Sequence, residues 1–169
     1  MHFKQPAVAD AHRLLEFFND LVLKDQERVE RPADVKAITH EMEVRWIESL
    51  LDKEQKQDAI ALCVLDDTAT LIGLGEVERR PRWIERHVAE IRFGLFPDQY
   101  NAGKSLVDLL ELRAKSIGIE MLYYFHLATQ QQGIEIIRAC GFELAGRLPA
   151  YYKKADSYVD RVFYTKKIV

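Results

Sequence analysis

The chain has 169 residues, 48% of them hydrophobic and 30% charged, with a formal charge of −3. That length fits one domain with a substantial core, and the mild acidity gives no electrostatic ground for a nucleic acid or an anionic membrane surface as partner. No apolar run is long enough to cross a bilayer and no signal-peptide core opens the sequence, so a cytoplasmic protein is expected.

In chain order, His2 to Pro6 reads as a short edge strand. Asp10 is placed to cap a helix carrying Leu14, Leu15, Phe18, Leu21 and Val22 on its inner side. The charged stretch from Lys24 to Lys36 contains Pro32 and reads as a loop or ragged helix end. Thr39 is placed to cap a second helix with Met42, Trp46, Ile47, Leu50 and Leu51 inward. Residues 52–58 form a solvated connector. Strand character begins at Ala59, turns at Asp66-Asp67-Thr68, and returns from Thr70 to Val77 as a hairpin. Pro81 marks another turn, and His87 to Leu95 is the third strand of a meander. Cys63 and Cys140 lie in apolar surroundings outside any CxxC or zinc spacing, which points to reduced, buried thiols.

The third strand stops at Pro97. A loop, Tyr100 to Ser105, is expected next, followed by an amphipathic helix with Leu106, Leu110, Ala114 and Ile117 on one stripe. Glu111 and Lys115 form an outward i,i+4 pair. A strand leading through a tight loop into a helix leaves backbone N–H groups converging on one spot. With the helix dipole, they form a seat for a phosphate or pyrophosphate. Gly118 ends the helix, and residues 121–128 (MLYYFHLA) form a buried strand. Gln130 to Cys140 is a helix with Ile134, Ile137 and Cys140 inward, closed by Gly141. Phe142 to Tyr152 and Tyr158 to Ile168 make a final antiparallel pair. The expected fold class is α/β, an α+β arrangement with a mixed sheet flanked by helices and a single domain over residues 1–169.

Gly103-Lys104-Ser105 has the ending of a phosphate-binding Walker loop, but the first glycine of that motif would fall on Asp98, where a carboxylate opposes a phosphate. The strand ending at Ala128 also lacks the acid that would hold Mg²⁺. His2, His12, His40, His87 and His126 show no metal-ligand spacing, so no metal is expected.

The element order resembles that of the GNAT N-acetyltransferases, and the resemblance covers nearly the whole chain. Arg86 to Tyr100 is similar to that family's fourth strand and the start of its acyl-CoA loop. The family's Gln/Arg-x-x-Gly-x-Gly/Ala falls on Tyr100 to Ser105, keeping one glycine. A later family pattern falls on Gln130 through Gly141-Phe142, with Ile137 where a tyrosine is usual. The tail from Ala150 to Lys167 is similar to a closing hairpin of the family. The resemblance implies a GNAT-like acyl-CoA N-acyltransferase fold with acetyl-CoA as cosubstrate. Gly94, Leu95 and Phe96 would pair with the pantetheine arm, as an added strand does. Tyr100, Asn101, Ala102, Gly103, Lys104 and Ser105 would hold the pyrophosphate, and Gln130 would add a contact.

Acetyl transfer needs a neutral amine and a proton for the leaving thiolate. The resemblance puts Glu90 first as base, with Glu76 and Glu78, on the neighbouring strand, second. Ile137 cannot donate a proton, which turns attention to Tyr151, Tyr152 and Tyr158 near the acceptor mouth. The implied acceptor is a small-molecule or peptide amine bordered by the Lys24 to Lys36 segment together with the last hairpin; Asp25, Glu27 and Glu30 of that segment suit a cation. By analogy, the last hairpin offers a surface for a homodimer. The competing expectation is a catalytically weak or inactive GNAT-like module that binds CoA or a partner.

Overall fold

The computed structural model describes residues 1–169. The elements run β1 (His2–Lys4), α1 (Ala11–Lys24), α2 (Pro32–Lys36), α3 (His40–Gln55), β2 (Ala59–Leu65), β3 (Leu71–Arg79), β4 (Val88–Leu95), α4 (Tyr100–Ser116), β5 (Met121–Leu127), α5 (Gln131–Ala139), β6 (Glu143–Lys153) and β7 (Tyr158–Lys167). The seven strands form one sheet in the order β1-β2-β3-β4-β5-β7-β6. Every neighbouring pair is antiparallel except β4 and β5, which run parallel because α4 carries the chain back between them. The expected mixed α/β sheet is present.

The two faces of the sheet are covered differently. On one, α4 sets Leu106, Val107, Leu110 and Ala114 against Val77, Ile91 and Leu122, and α5 adds Ile134, Ile136 and Ile137. Gly75 lets α4 approach the sheet, since a Cβ there would stand 2.8 Å from both Leu106 and Leu110 side chains. On the other face α1 and α3 pack Leu14, Phe17, Leu21 and Ile47 against Cys63, Leu71 and Leu74. Each leucine, isoleucine, valine or phenylalanine so removed from water contributes roughly 1.5–3 kcal/mol.

Several sequence expectations shift by a residue or a turn. Phe17, not Phe18, is the buried aromatic of α1, and Leu15 is only half-buried. Asp10 does not cap α1 with its side chain. Its carboxylate accepts from Lys4 Nζ (2.6 and 2.7 Å) and from Ala7 N (2.9 Å), holding the 3-10 turn before the helix. Thr39 does cap α3, accepting from Met42 N at 3.2 Å. Met42, however, is 52% exposed, and Glu43 is the residue turned inward. The charged stretch after α1 contains the short helix α2, started by Pro32, whose fixed φ suits a first helical turn. The expected loop from Tyr100 to Ser105 is helical: α4 begins at Tyr100, and the connection is four residues, 96–99. Gly103 serves packing there, because a Cβ would lie 2.4 Å from Ile136 Cδ1.

Candidate active site

Strands β4 and β5 pair only over Val88–Glu90 and Met121–Tyr123. Beyond that point they part, and the β4 edge from Ile91 to Leu95 has no partner strand on that side. An unpaired strand edge is a row of donors and acceptors for an extended ligand. Gly94 lies on this edge, and a side chain there would meet Leu21 Cδ2 at 2.8 Å and the Arg28 guanidinium at 3.3 Å.

The gap between the parted strands is narrow. Phe93 and Tyr124 stack across it with ring centroids 5.4 Å apart, and Arg28 reaches into it from the loop after α1. About 10 Å³ of cavity remains among Gly94, Leu95, Tyr124, His126 and Gln130, too small for more than about one water. Arg28 is loosely held: its nearest carboxylates are Glu30 at 3.4 Å and Asp25 at 3.9 Å, and its Nε has no hydrogen bond. The Tyr124 hydroxyl is buried without a partner and lies where a Cβ on Gly133 would come within 2.5 Å. Burial raises its pKa, so it keeps its proton at neutral pH.

At the far end of this edge, the 96–99 loop is tied to α5 by one amide. Gln132 Oε1 accepts from Asp98 N at 2.9 Å, and its Nε2 donates to Phe96 O at 3.1 Å. Asp98 has φ +65, a left-handed conformation that costs a non-glycine residue about 1–2 kcal/mol. Gln99 gives α4 no side-chain cap, and Gly103 N donates to Gln99 O at 2.9 Å. Of the expected phosphate-binding run, therefore, Tyr100, Asn101 and Ala102 keep N–H groups free of helical partners. Lys104 and Ser105 lie inside the helix, with Lys104 Nζ bonded to Asp108 at 2.7 Å. Gln130 is buried at the start of α5, where its Oε1 accepts from Gly133 N. Its Nε2 donates to Asp25 Oδ2 at 2.6 Å.

A cavity of about 460 Å³ opens beside the gap, between α1, α2, α3 and the parted strands. Its walls include Phe18, Val35, Trp46, Phe93 and Tyr152, and its polar groups include Arg28, Glu30, Glu43, Glu76, Arg92 and His126. Glu76 sits opposite Arg92 in the β3–β4 register and accepts from its guanidinium at 2.9 Å. Burial raises the Glu76 pKa and Arg92 opposes the rise. Burial holds His126 at about 4, so it is neutral.

The expected site residues fall into two groups. Glu76 lines the cavity. Glu90 stands where the strands are still paired, accepts from Tyr123 OH at 3.1 Å and lies 3.6 Å from Arg92 Nε; it is not among the cavity-lining residues. Tyr151 is 51% exposed, its hydroxyl accepts from Arg161 at 2.8 Å, and it too is off the cavity wall. Tyr152, its neighbour, is on that wall. Sequence reading did not single out Glu43, Arg28, Tyr124 or Gln132. For Glu43 the signal existed: a glutamate one position after Met42 shares a helical side with Ile47 and Leu50.

The family described as Acetyltransferase (GNAT) domain matches residues 4–163. No curated relative matches the chain. Among solved structures, an acetyltransferase of the GNAT family from Streptococcus pneumoniae has a TM-score of 0.86 at 16% identity, with 98% of each chain covered. A GNAT-superfamily phosphinothricin acetyltransferase from Sinorhizobium meliloti, in complex with AcCoA, has a TM-score of 0.82 at 20% identity, covering 98% of this chain and 87% of that one. A ribosomal-protein-alanine N-acetyltransferase from Brucella melitensis has a TM-score of 0.80 at 20% identity, with 99% of each chain covered. At these identities the likeness is one of fold.

Proposed function

The chain belongs to the GNAT acetyltransferase family, and from that premise we propose that it moves an acetyl group from acetyl-CoA to a primary amine by direct attack. The observation that carries this reading is the parting of β4 and β5 after Glu90, beside a cavity that holds a buried carboxylate. The residues fit the cosubstrate in backbone terms. The Ile91 to Leu95 edge can pair with an extended arm, and the Tyr100, Asn101 and Ala102 N–H groups can receive a diphosphate. The fit needs the Phe93–Tyr124 stack to part and Arg28 to leave the gap, the latter allowed by its weak anchoring. When bound, acetyl-CoA supplies the thioester carbon that the amine attacks, forming the C–N bond as the C–S bond breaks.

Glu76 is proposed as the base, in preference to Glu90, because it faces the cavity. The acceptor ammonium first gives one proton up to solvent; as the neutral amine attacks, the Glu76 carboxylate takes the second proton, which the nitrogen loses on acylation, and its raised pKa suits that role. Tyr124 OH is proposed as the donor to the departing sulfur, replacing the phenol that Ile137 cannot supply; solvent restores its proton. Arg92 keeps Glu76 in place at 2.9 Å.

A second reading, a CoA-binding or inactive module, is favoured by the narrowness of the gap. The test is release of CoA thiol from acetyl-CoA across a broad panel of primary amines. Turnover with at least one amine, lost in Glu76→Gln, supports transfer, whereas CoA binding without turnover on the whole panel supports the module. Two further expectations go with the main reading. Residues 1–169 act as one unit in the cytoplasm, where Cys63 and Cys140 stay reduced and buried. A second copy pairs along β6, the sheet edge carrying exposed Leu144, Leu148 and Tyr151.

A further inference from the structure

The charges lining the large cavity do not balance. Arg92 is matched by Glu76 at 2.9 Å, and Arg28 by Glu30 at 3.4 Å. His126 is neutral. Glu43 on α3 is left over: it is 3% exposed, no basic group pairs with it, and its Oε1 has no hydrogen-bond partner. A buried carboxylate without a partner costs several kcal/mol unless a cation or a proton reaches it. Burial alone raises this group to about 7, so above neutral pH it is a charge waiting for a counter-ion. The wall around it is apolar. Phe18 and Trp46 meet edge to face at 6.4 Å, and Val29, Val35, Ile38 and Met42 complete that side. Val29 and Met42 are more than half exposed, which gives the cavity a greasy rim.

We infer that this cavity takes a singly charged primary amine carried on an apolar, ring-sized body, and that Glu43 is the carboxylate that receives the ammonium. The inference names the acceptor class for the proposed transfer and rests on that reading for its chemistry. The binding part stands independently. An anionic acceptor would face an unpaired carboxylate. A small polar amine would leave the Phe18 and Trp46 side of the wall uncovered, and with it most of the hydrophobic contribution to binding.

The test is calorimetric titration of the full chain at pH 8 with phenethylamine, 2-phenylethanol, 3-phenylpropionate and glycinamide. Phenethylamine is expected to bind at least ~10-fold more tightly than each of the others, the ring supplying area and the ammonium the ion pair. In Glu43→Gln the preference for amine over alcohol disappears, and in Glu43→Asp, which keeps the charge, it is retained. The inference is overturned if the alcohol, the acid or glycinamide binds as well as phenethylamine, or if Glu43→Gln keeps the preference. The four-ligand comparison on the unmodified protein decides the acceptor class even where a variant fails to fold. Thiol release measured alongside separates the two readings. Phenethylamine bound without turnover of any amine removes the transfer and leaves the acceptor class. Turnover of glycinamide or a lysine peptide, with phenethylamine ignored, removes the acceptor class and leaves the transfer.

Discussion

The two faces of the central sheet are built on opposite terms. Beneath α4 and α5 the contacts are apolar and close: Leu106, Leu110 and Ala114 are fully buried, and glycines at 75 and 103 admit neighbouring side chains to within 3 Å of where a Cβ would sit. Beneath α1, α2 and α3 the same strands present Glu76, Arg92 and Gly94 to a cavity of about 460 Å³, with Glu43 arriving unpaired from above. A filled face contributes stability; an open one with stranded polar groups gives some of it up. The difference teaches that close packing and open, polar-lined space can be divided within single strands, residue by residue, as Glu76 and Val77 on β3 show.

That contrast can be broken or sharpened by substitution. The largest effect is expected on the open face, where Glu76→Gln lowers kcat by about 10²–10⁴-fold while the melting curve is kept, the range for loss of a general base. Stopped-flow or endpoint thiol assays read it, and an undiminished rate assigns the base elsewhere. On the filled face Leu110→Ala should cost about 2–5 kcal/mol in urea unfolding, as deletion of a buried leucine does. A loss below 1 kcal/mol would mean that the core under α4 collapses around the hole.

Glu43→Gln should act with a pH-dependent sign. Because the folded state holds the Glu43 proton up to about pH 7 and the unfolded chain releases it near 4.5, the native protein loses stability as pH rises between those values. The glutamine variant lacks that loss, so its advantage over the native chain should be about 3 kcal/mol larger at pH 8 than at pH 4. Equal differences at both pH values would place Glu43 in contact with water. The smallest effect is expected for Arg28→Ala, which clears the gap beside Gly94 and should tighten CoA binding by about 10-fold, roughly 1.4 kcal/mol. Weaker binding would make Arg28 a ligand-holding group.

The filled face was legible in the sequence because it obeys periodicity. The Leu106, Leu110, Ala114 stripe, the stop at Gly118 (φ +79) and the closing Gly141 (φ +83) follow from pattern alone. The start of α4 was misread because Asn, Gly and Ser suggest a loop, whereas Ala102 and Gly103 are buried and continue the stripe one turn earlier. The open face was less legible for the opposite reason. Glu43 breaks the apolar pattern, so composition assigns it to solvent, and Met42 takes the inward place it does not occupy. Tyr124 sits in an apolar strand and looks like core until its hydroxyl is seen without a partner. Arg28 and Gln132 act across 66 and 34 residues of chain, on Gly94 and Asp98 respectively, distances over which local pattern carries no information.

The Gln132 amide has a mechanical consequence. It gives and takes one hydrogen bond at once, to Phe96 O and from Asp98 N, so the bend ahead of α4 borrows its shape from α5 instead of from flexible residues. A carboxylate could accept but not give, and the bend would lose one of its two ties to α5. A tilt of α5 would therefore carry the bend at 96–99 with it, and through the bend the first turn of α4, by way of a single side chain.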